Sequence, residues 1–168
     1  MSTVTRVNTY VYSVNYVADQ LLRSLKDLIR EIGLDPANFV DSWKSTNLAL
    51  TTWLHSRHLE RITLEIYDPG APNVAILVPE FEIVYGDGDD DGAFWVDGEA
   101  LRYQLRKEGL VPQACRYSLV VFTKPGRPDV AGWGPGSSRS RAGMTRYLSG
   151  TAIASPGLAA ASGYWARG

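Results

Sequence analysis

Asp87, Asp89 and Asp91 stand at alternate positions before Gly92, which is how a calcium-binding loop opens. In such a loop spaced carboxylates surround the ion and a glycine permits the turn. The twelfth position, which needs a bidentate Glu, is Gly98, and the residues ahead of the loop read as a strand rather than a helix. A solvated acidic connection is the simpler reading. His55 and His58 lie three apart near a predicted helix end, a spacing able to hold a metal, but no Cys, Asp or further His stands nearby to complete a site. Cys115 alternates with apolar residues and reads as a small buried hydrophobe. There is no Ser-His-Asp order, G-x-S-x-G elbow, phosphate loop or dinucleotide fingerprint. No catalytic residue, cofactor or metal is expected; the enzyme alternative is a metal-dependent hydrolase built on loop 87–91 and the histidines.

A different chemistry is suggested by the last third, Thr123 to Gly168. It follows neither a helical nor a strand period, yet holds Trp133, Tyr147, Tyr164 and Trp165 among arginines. Disordered tails are poor in aromatics, so this segment is expected to pack on something. Stacking of single-stranded nucleic-acid bases is one use for such residues; fastening the segment to the body is the favoured one.

The bulk properties agree with a binding role. The 168 residues carry 17 basic and 18 acidic side chains, but from Gly126 onward five arginines oppose one aspartate, so that segment is at +4 and the remainder at −5. A modestly basic tail suits docking on the acidic body or on an acidic partner, and is too sparse for a nucleic-acid tract. One cysteine excludes an internal disulfide framework. No apolar run approaches the roughly 20 residues that span a bilayer, and no signal-peptide core is visible, so a cytoplasmic location is expected.

The elements that position these residues follow from periodicity. Residues 4–12 are β-prone and poorly patterned, a short strand or a mobile arm. Ser13 is placed to cap a helix whose stripe runs through Val14, Val17, Leu21, Leu25, Leu28 and Ile32, ending at Gly33 with Leu34 after it. Asp35-Pro36 starts a second helix that continues to about residue 56 along Phe39, Val40, Trp43, Leu50 and Leu54. Residues 61–67 alternate as a strand, with Val74 to Tyr85 as its hairpin return; Pro79 cannot donate to a ladder, which marks that strand as an edge or bulged. Asp97 caps a third helix, Glu99 to Glu108, closed by Gly109, and a third strand spans Ala114 to Thr123. The expected class is α+β: three helices on a small antiparallel sheet, with strands 74–84 and 114–122 as its two edges. Open edges invite pairing, and the tail is the available cover.

Four stretches carry a family resemblance: L-E-I-Y-D-P at 64–69, I-V-Y-G-D-G-D-D-D-G-A-F-W at 83–95, T-K-P-G-R-P-D-V-A-G-W at 123–133, and G-Y-W at 163–165. Through them the sequence resembles the bacterial HORMA-domain proteins of CBASS operons, the cyclic-oligonucleotide antiphage systems, along essentially its whole length. The resemblance implies a single HORMA domain with an N-terminal arm (1–12), a core (13–122) and a C-terminal safety belt (123–168) that docks in two positions. In the closed form the belt wraps a closure-motif peptide, which adds as a strand to the sheet edge. The implied partners are a cGAS/DncV-like nucleotidyltransferase (CD-NTase), which the closed domain activates in antiviral defence, and an AAA+ remodeller that reopens it.

The same resemblance implies which residues act. Arg116, Tyr117, Ser118, Leu119, Val120 and Val121 would form the peptide-binding edge strand. Trp133, Tyr147, Tyr164 and Trp165 would anchor the belt, with Pro125, Gly126 and Pro128 at its hinge. Ser2, Thr3, Val4, Thr5 and Arg6 would serve as the remodeller's handle.

Overall fold

The computed structural model describes residues 9–86 and 93–167. Helix α1 (Thr9–Glu31) lies at the centre, with Val14, Val17, Ala18, Leu21, Leu22, Leu25, Leu28 and Ile29 all buried along the expected stripe. Each Val, Leu or Ile side chain removed from water contributes about 1.5–3 kcal/mol before entropy is charged against it. At its C-terminus the N–H of Gly33 (φ 94°) donates to Arg30 and that of Leu34 donates back to Ile29, the paired bonds of a Schellman cap.

The N-terminus differs from the expectation. Ser13 is not a cap: the helix already includes residues 9–12, so these are neither strand nor arm. Tertiary contacts override their β-propensity. The Tyr10 hydroxyl donates to the Leu54 carbonyl at 2.6 Å, and the Arg57 guanidinium lies 4.4 Å from the Tyr10 ring. Ser13 is instead fully buried inside the helix.

The second expected helix is two. Helix α2 (Ala37–Asp41) and helix α3 (Trp43–His55) are separated at Ser42, whose hydroxyl bonds the Phe39 carbonyl at 3.1 Å. A serine side chain competing for backbone partners in this way favours a break. Asp35 accepts from the Ala37 N–H at 2.9 Å, but the N-cap position falls on Pro36, one residue later than expected.

The sheet is antiparallel, with strands β1 (Leu59–Tyr67), β2 (Ala75–Tyr85), β3 (Trp95–Val96), β4 (Arg116–Thr123), β5 (Met144–Ser155) and β6 (Leu158–Arg167) in the order β3-β5-β6-β2-β1-β4. The short β3, and β5 and β6 within the tail, were not expected. Helix α4 (Glu99–Glu108) buries Leu101 and Leu105, and the Asp97 carboxylate accepts from the Glu99 N–H at 2.9 Å. Pro79 is an interior residue of the sheet, paired opposite Tyr164 of β6. The β1–β2 register is the same at Thr63↔Glu80 and at Ile66↔Leu77 on either side of Pro79, and its one irregularity lies between Ile66 and Tyr67, so Pro79 marks neither an edge nor a bulge.

Strand β1 is buried on both faces. Ile62, Leu64 and Ile66 meet the helices, as their alternation requires, but Thr63 and Glu65 on the opposite face are equally closed to solvent. The chain beyond β4 covers them.

Candidate functional site

Strand β4 pairs with β1 in continuous antiparallel register from Tyr67↔Arg116 to Arg61↔Phe122. Its other edge meets no strand among the described residues, which leaves a row of main-chain donors and acceptors open to pairing. Arg116 is exposed, whereas Tyr117, Ser118, Leu119, Val120 and Val121 are half-buried. Tyr117, Leu119 and Val121 pack against the core without being sealed by it. The Tyr117 hydroxyl donates to the Asp35 carbonyl at 2.8 Å and accepts from the Phe39 N–H at 3.3 Å, tying the start of α2 to the strand. Burial pushes that phenol up from its ordinary value.

The chain then turns back over this edge. The Lys124 N–H donates to the His58 carbonyl at 2.8 Å, and Gly126 takes φ 84°, a left-handed conformation that side chains resist. The Trp53 indole N–H donates to the Pro128 carbonyl at 2.7 Å, and Trp133 packs edge-on against Trp53 with ring centroids 5.6 Å apart. Trp133 thus stands beside β4 and divides the space there into two clefts. One, of about 480 Å³, is lined by Phe39, Thr46, Tyr117, Leu119 and Trp133. The other, of about 400 Å³, is lined by Trp53, Glu60, Val121, Arg127 and Trp133.

Beyond Trp133 the segment crosses the helix-free face of the sheet, where its arginines meet buried glutamates. Arg139 donates to the Glu65 carboxylate from its backbone N–H, at 3.1 and 3.2 Å, and from its guanidinium at 3.1 Å. Arg141 lies 4.0 Å from Glu65 and 3.9 Å from Glu80, and Arg146 donates to Glu80 at 2.7 Å and reaches Glu82 at 3.4 Å. Desolvation lowers the pKa of Arg141 against the pull of both carboxylates, whereas its hydrogen bond to Glu80 raises that of Arg146. The charge asymmetry of the sequence is realised here as docking of the tail on its own body.

The hairpin β5–β6 then adds to β2, from Leu77↔Ala166 to Tyr85↔Leu158. Tyr147 stacks on Tyr164 at 5.0 Å, and the buried Tyr164 donates to Glu108 at 3.1 Å. Trp165 is half-buried beneath Arg141, 5.3 Å from guanidinium to ring. At the hairpin tip, the Ser13 hydroxyl donates to the Pro156 carbonyl at 2.6 Å.

The other candidates are not assembled into a centre. His55 is exposed against Tyr10, and His58 shares a 2.9 Å hydrogen bond with Ser56. Cys115 is buried, and desolvation, reinforced by Asp68, raises its thiol pKa, which suppresses the nucleophilic thiolate. Among the described residues no three His, Cys, Asp or Glu side chains gather as metal ligands. The acidic loop 87–91 and the handle Ser2–Arg6 lie outside the described residues. Pro125 and Pro128 are exposed where the segment leaves β4. Sequence reasoning missed Trp53, Glu65, Glu80, Arg139, Arg141 and Arg146; the opposite net charges of body and tail were the signal that pointed toward the last five.

The fold recurs in solved structures. A chain of the mitotic checkpoint complex superimposes with a TM-score of 0.75 at 11% identity, covering 95% of this chain and 97% of that one. C. elegans HTP-2, solved bound to the HIM-3 closure motif, gives 0.63 at 11% identity, with 98% and 99% covered. A chain of the E. coli MS115-1 HORMA:CdnC:Trip13 complex gives 0.58 at 13% identity, with 97% and 95% covered. At these identities the likeness is one of fold. No curated protein matches the chain. The family model described as Bacterial HORMA domain 2, however, matches residues 1–168 from end to end, and the chain belongs to that family.

Proposed function

We propose that this chain is a peptide-binding conformational switch, here with its C-terminal belt in the closed position. The observation that carries the reading is the split of the tail across the sheet. Hairpin β5–β6 occupies the β2 side, while residues 124–138 stand over the free edge of β4 on the other. A peptide adding to β4 would draw affinity from main-chain pairing and selectivity from the clefts flanking Trp133. The domain would comprise a core ending with β4 and a belt of residues 123–168, hinged at Pro125, Gly126 and Pro128. Trp133, Tyr147, Tyr164 and Trp165 would be the belt's anchors.

The partners are inferred from relatives. HTP-2 is solved with closure motifs, and the E. coli HORMA protein with CdnC and Trip13. By that likeness, the closed domain would bind and activate a CD-NTase, and an AAA+ remodeller would engage Ser2–Arg6 to reopen it. The chain would act by binding rather than catalysis. Moving such a switch from 1:99 to 99:1 needs about 5.5 kcal/mol of differential affinity, so peptide and belt must act together.

The test combines the purified chain with a CD-NTase, ATP and GTP, with and without a bound peptide. Complex formation and increased cyclic-oligonucleotide synthesis are expected. Absence of both overturns this reading.

A further inference from the structure

The cleft on the Thr123 side of Trp133 contains a cation without a counter-ion. Arg127 lies on the segment that spans β4, its guanidinium stacked 4.3 Å from the Trp53 ring. It makes no ion pair among the described residues, and its Nη1 is closed to solvent without a hydrogen-bond acceptor. Leaving a buried charged donor unsatisfied is costly, so this position calls for an acceptor. The other arginines of the segment between Arg127 and Arg146 all have carboxylate partners: Arg139 on Glu65, Arg141 near Glu65 and Glu80, and Arg146 on Glu80 and Glu82. Arg141 also keeps two buried guanidinium nitrogens without a hydrogen bond, but of these four arginines Arg127 alone has no carboxylate within ion-pair distance among the described residues.

Its surroundings define what would reach it. The second cleft, toward the Tyr117 end of β4, has Phe39, Tyr117, Leu119 and Trp133 as its apolar and aromatic walls, with Asn38, Ser42, Ser45 and Thr46 as polar neighbours. Leu119 and Trp133 line both clefts. An extended chain beside β4 advances about 3.3 Å per residue, with alternate side chains on one face. A residue seated against Tyr117 and Leu119 is therefore followed or preceded by one facing Arg127 some two to four positions away. Glu60 also lines the Arg127 cleft, without pairing to it. It disfavours a surplus of negative charge and restricts the ligand to a single carboxylate.

We infer that the ligand of the β4 edge is an extended peptide carrying one carboxylate held by Arg127 and an apolar side chain held between Tyr117, Leu119 and Trp133. The inference rests on the reading of β4 as a peptide edge. The shared chemistry is a carboxylate, supplied by an Asp or Glu side chain or by the peptide's own C-terminus. A charge-assisted bond in this half-buried site is worth about tenfold in affinity.

The experiment pans the full chain against two random decapeptide libraries, one continuing into its carrier and one ending in a free C-terminus. Arg127→Gln and Arg127→Lys are panned in parallel after their folding has been checked by thermal melting. The expected result is enrichment of an apolar position and an acidic group at fixed separation. Arg127→Gln should lose the acidic preference while keeping the apolar one, and Arg127→Lys should retain both. Asp or Glu in the first library identifies a side chain; enrichment only at the last residue of the second identifies the terminus. Peptides selected without an acidic preference, or with one that survives in Arg127→Gln, overturn the assignment of Arg127 alone. No enrichment in either library overturns the peptide-edge reading and this inference together.

Discussion

Arg139 holds Glu65 from two directions, with its backbone N–H and its guanidinium both donating to a carboxylate whose side chain has no exposed surface. Glu65 is in the body and Arg139 in the belt, separated by 74 positions. The same guanidinium lies 3.6 Å from the Tyr67 ring and donates to the Pro72 carbonyl at 2.7 Å. The belt's crossing of the sheet is therefore fixed on buried carboxylates, Glu65 under Arg139 and Glu80 under Arg146.

Glu65→Ala leaves Arg139 and Arg141 facing a desolvated surface without their carboxylate. Breaking such a pair from one side costs about 3 kcal/mol. The loss should be concentrated in the belt. Hydrogen exchange should accelerate more in residues 138–155 than in α1, and an equal acceleration in both would argue against a belt-specific role.

Ser13→Ala removes the donor to the Pro156 carbonyl at the hairpin tip, leaving a buried acceptor unmade at a cost of about 1–2 kcal/mol. In a domain of this size that corresponds to a fall in Tm of roughly 2–8 °C. An unchanged Tm would contradict the bond's importance.

Tyr164 makes the belt's attachment sensitive to alkaline pH. Burial, together with its hydrogen bond to Glu108 and that carboxylate's charge, raises its phenol from 10.0 to about 12. The unfolded chain ionises first, so the stabilisation is intact below pH 10 and is lost as pH rises from 10 to about 12. Tyrosinate absorbance should show this residue titrating after the exposed tyrosines. Tyr164→Phe should reduce the stability loss in that window, leaving the share of the other raised phenols, Tyr10, Tyr85 and Tyr117, and an unchanged loss would assign it to them alone.

Gly163 admits no side chain: a Cβ there would lie 2.7 Å from the Tyr147 carbonyl oxygen across the hairpin. Gly163→Ala must push β5 from β6, at a cost of about 1–3 kcal/mol. Weaker protection of β5 amides is expected, and unaltered exchange would contradict the close packing of the hairpin.

What the sequence revealed and what it hid have physical causes. The α1 stripe, its cap at Gly33, the alternation of β1 and β4, and the paired Leu101 and Leu105 of α4 were legible because each depends on neighbours within a few residues. Strand β6 was not, because Ala159, Ala160, Ala161, Ser162 and Gly163 lack the branched bulk that marks strands. Bulges between Leu148 and Gly150 and between Thr151 and Ile153 disturb the alternation of β5. Glu65 looked like the solvent face of β1 because its cover comes from Arg139, far along the chain. Ser13 looked like a cap because the partners that extend α1 to Thr9, Leu54 and Arg57, are themselves distant.

A peptide is expected to add to β4 beneath residues 128–138 while β5–β6 stays on β2. Hydrogen exchange of the full chain, with and without a peptide selected on it, tests this most directly. New protection is expected in residues 116–123 and 128–138, with little change along the outer edge of residues 144–151. Binding that protects residues 144–151 and leaves β4 unchanged would contradict it.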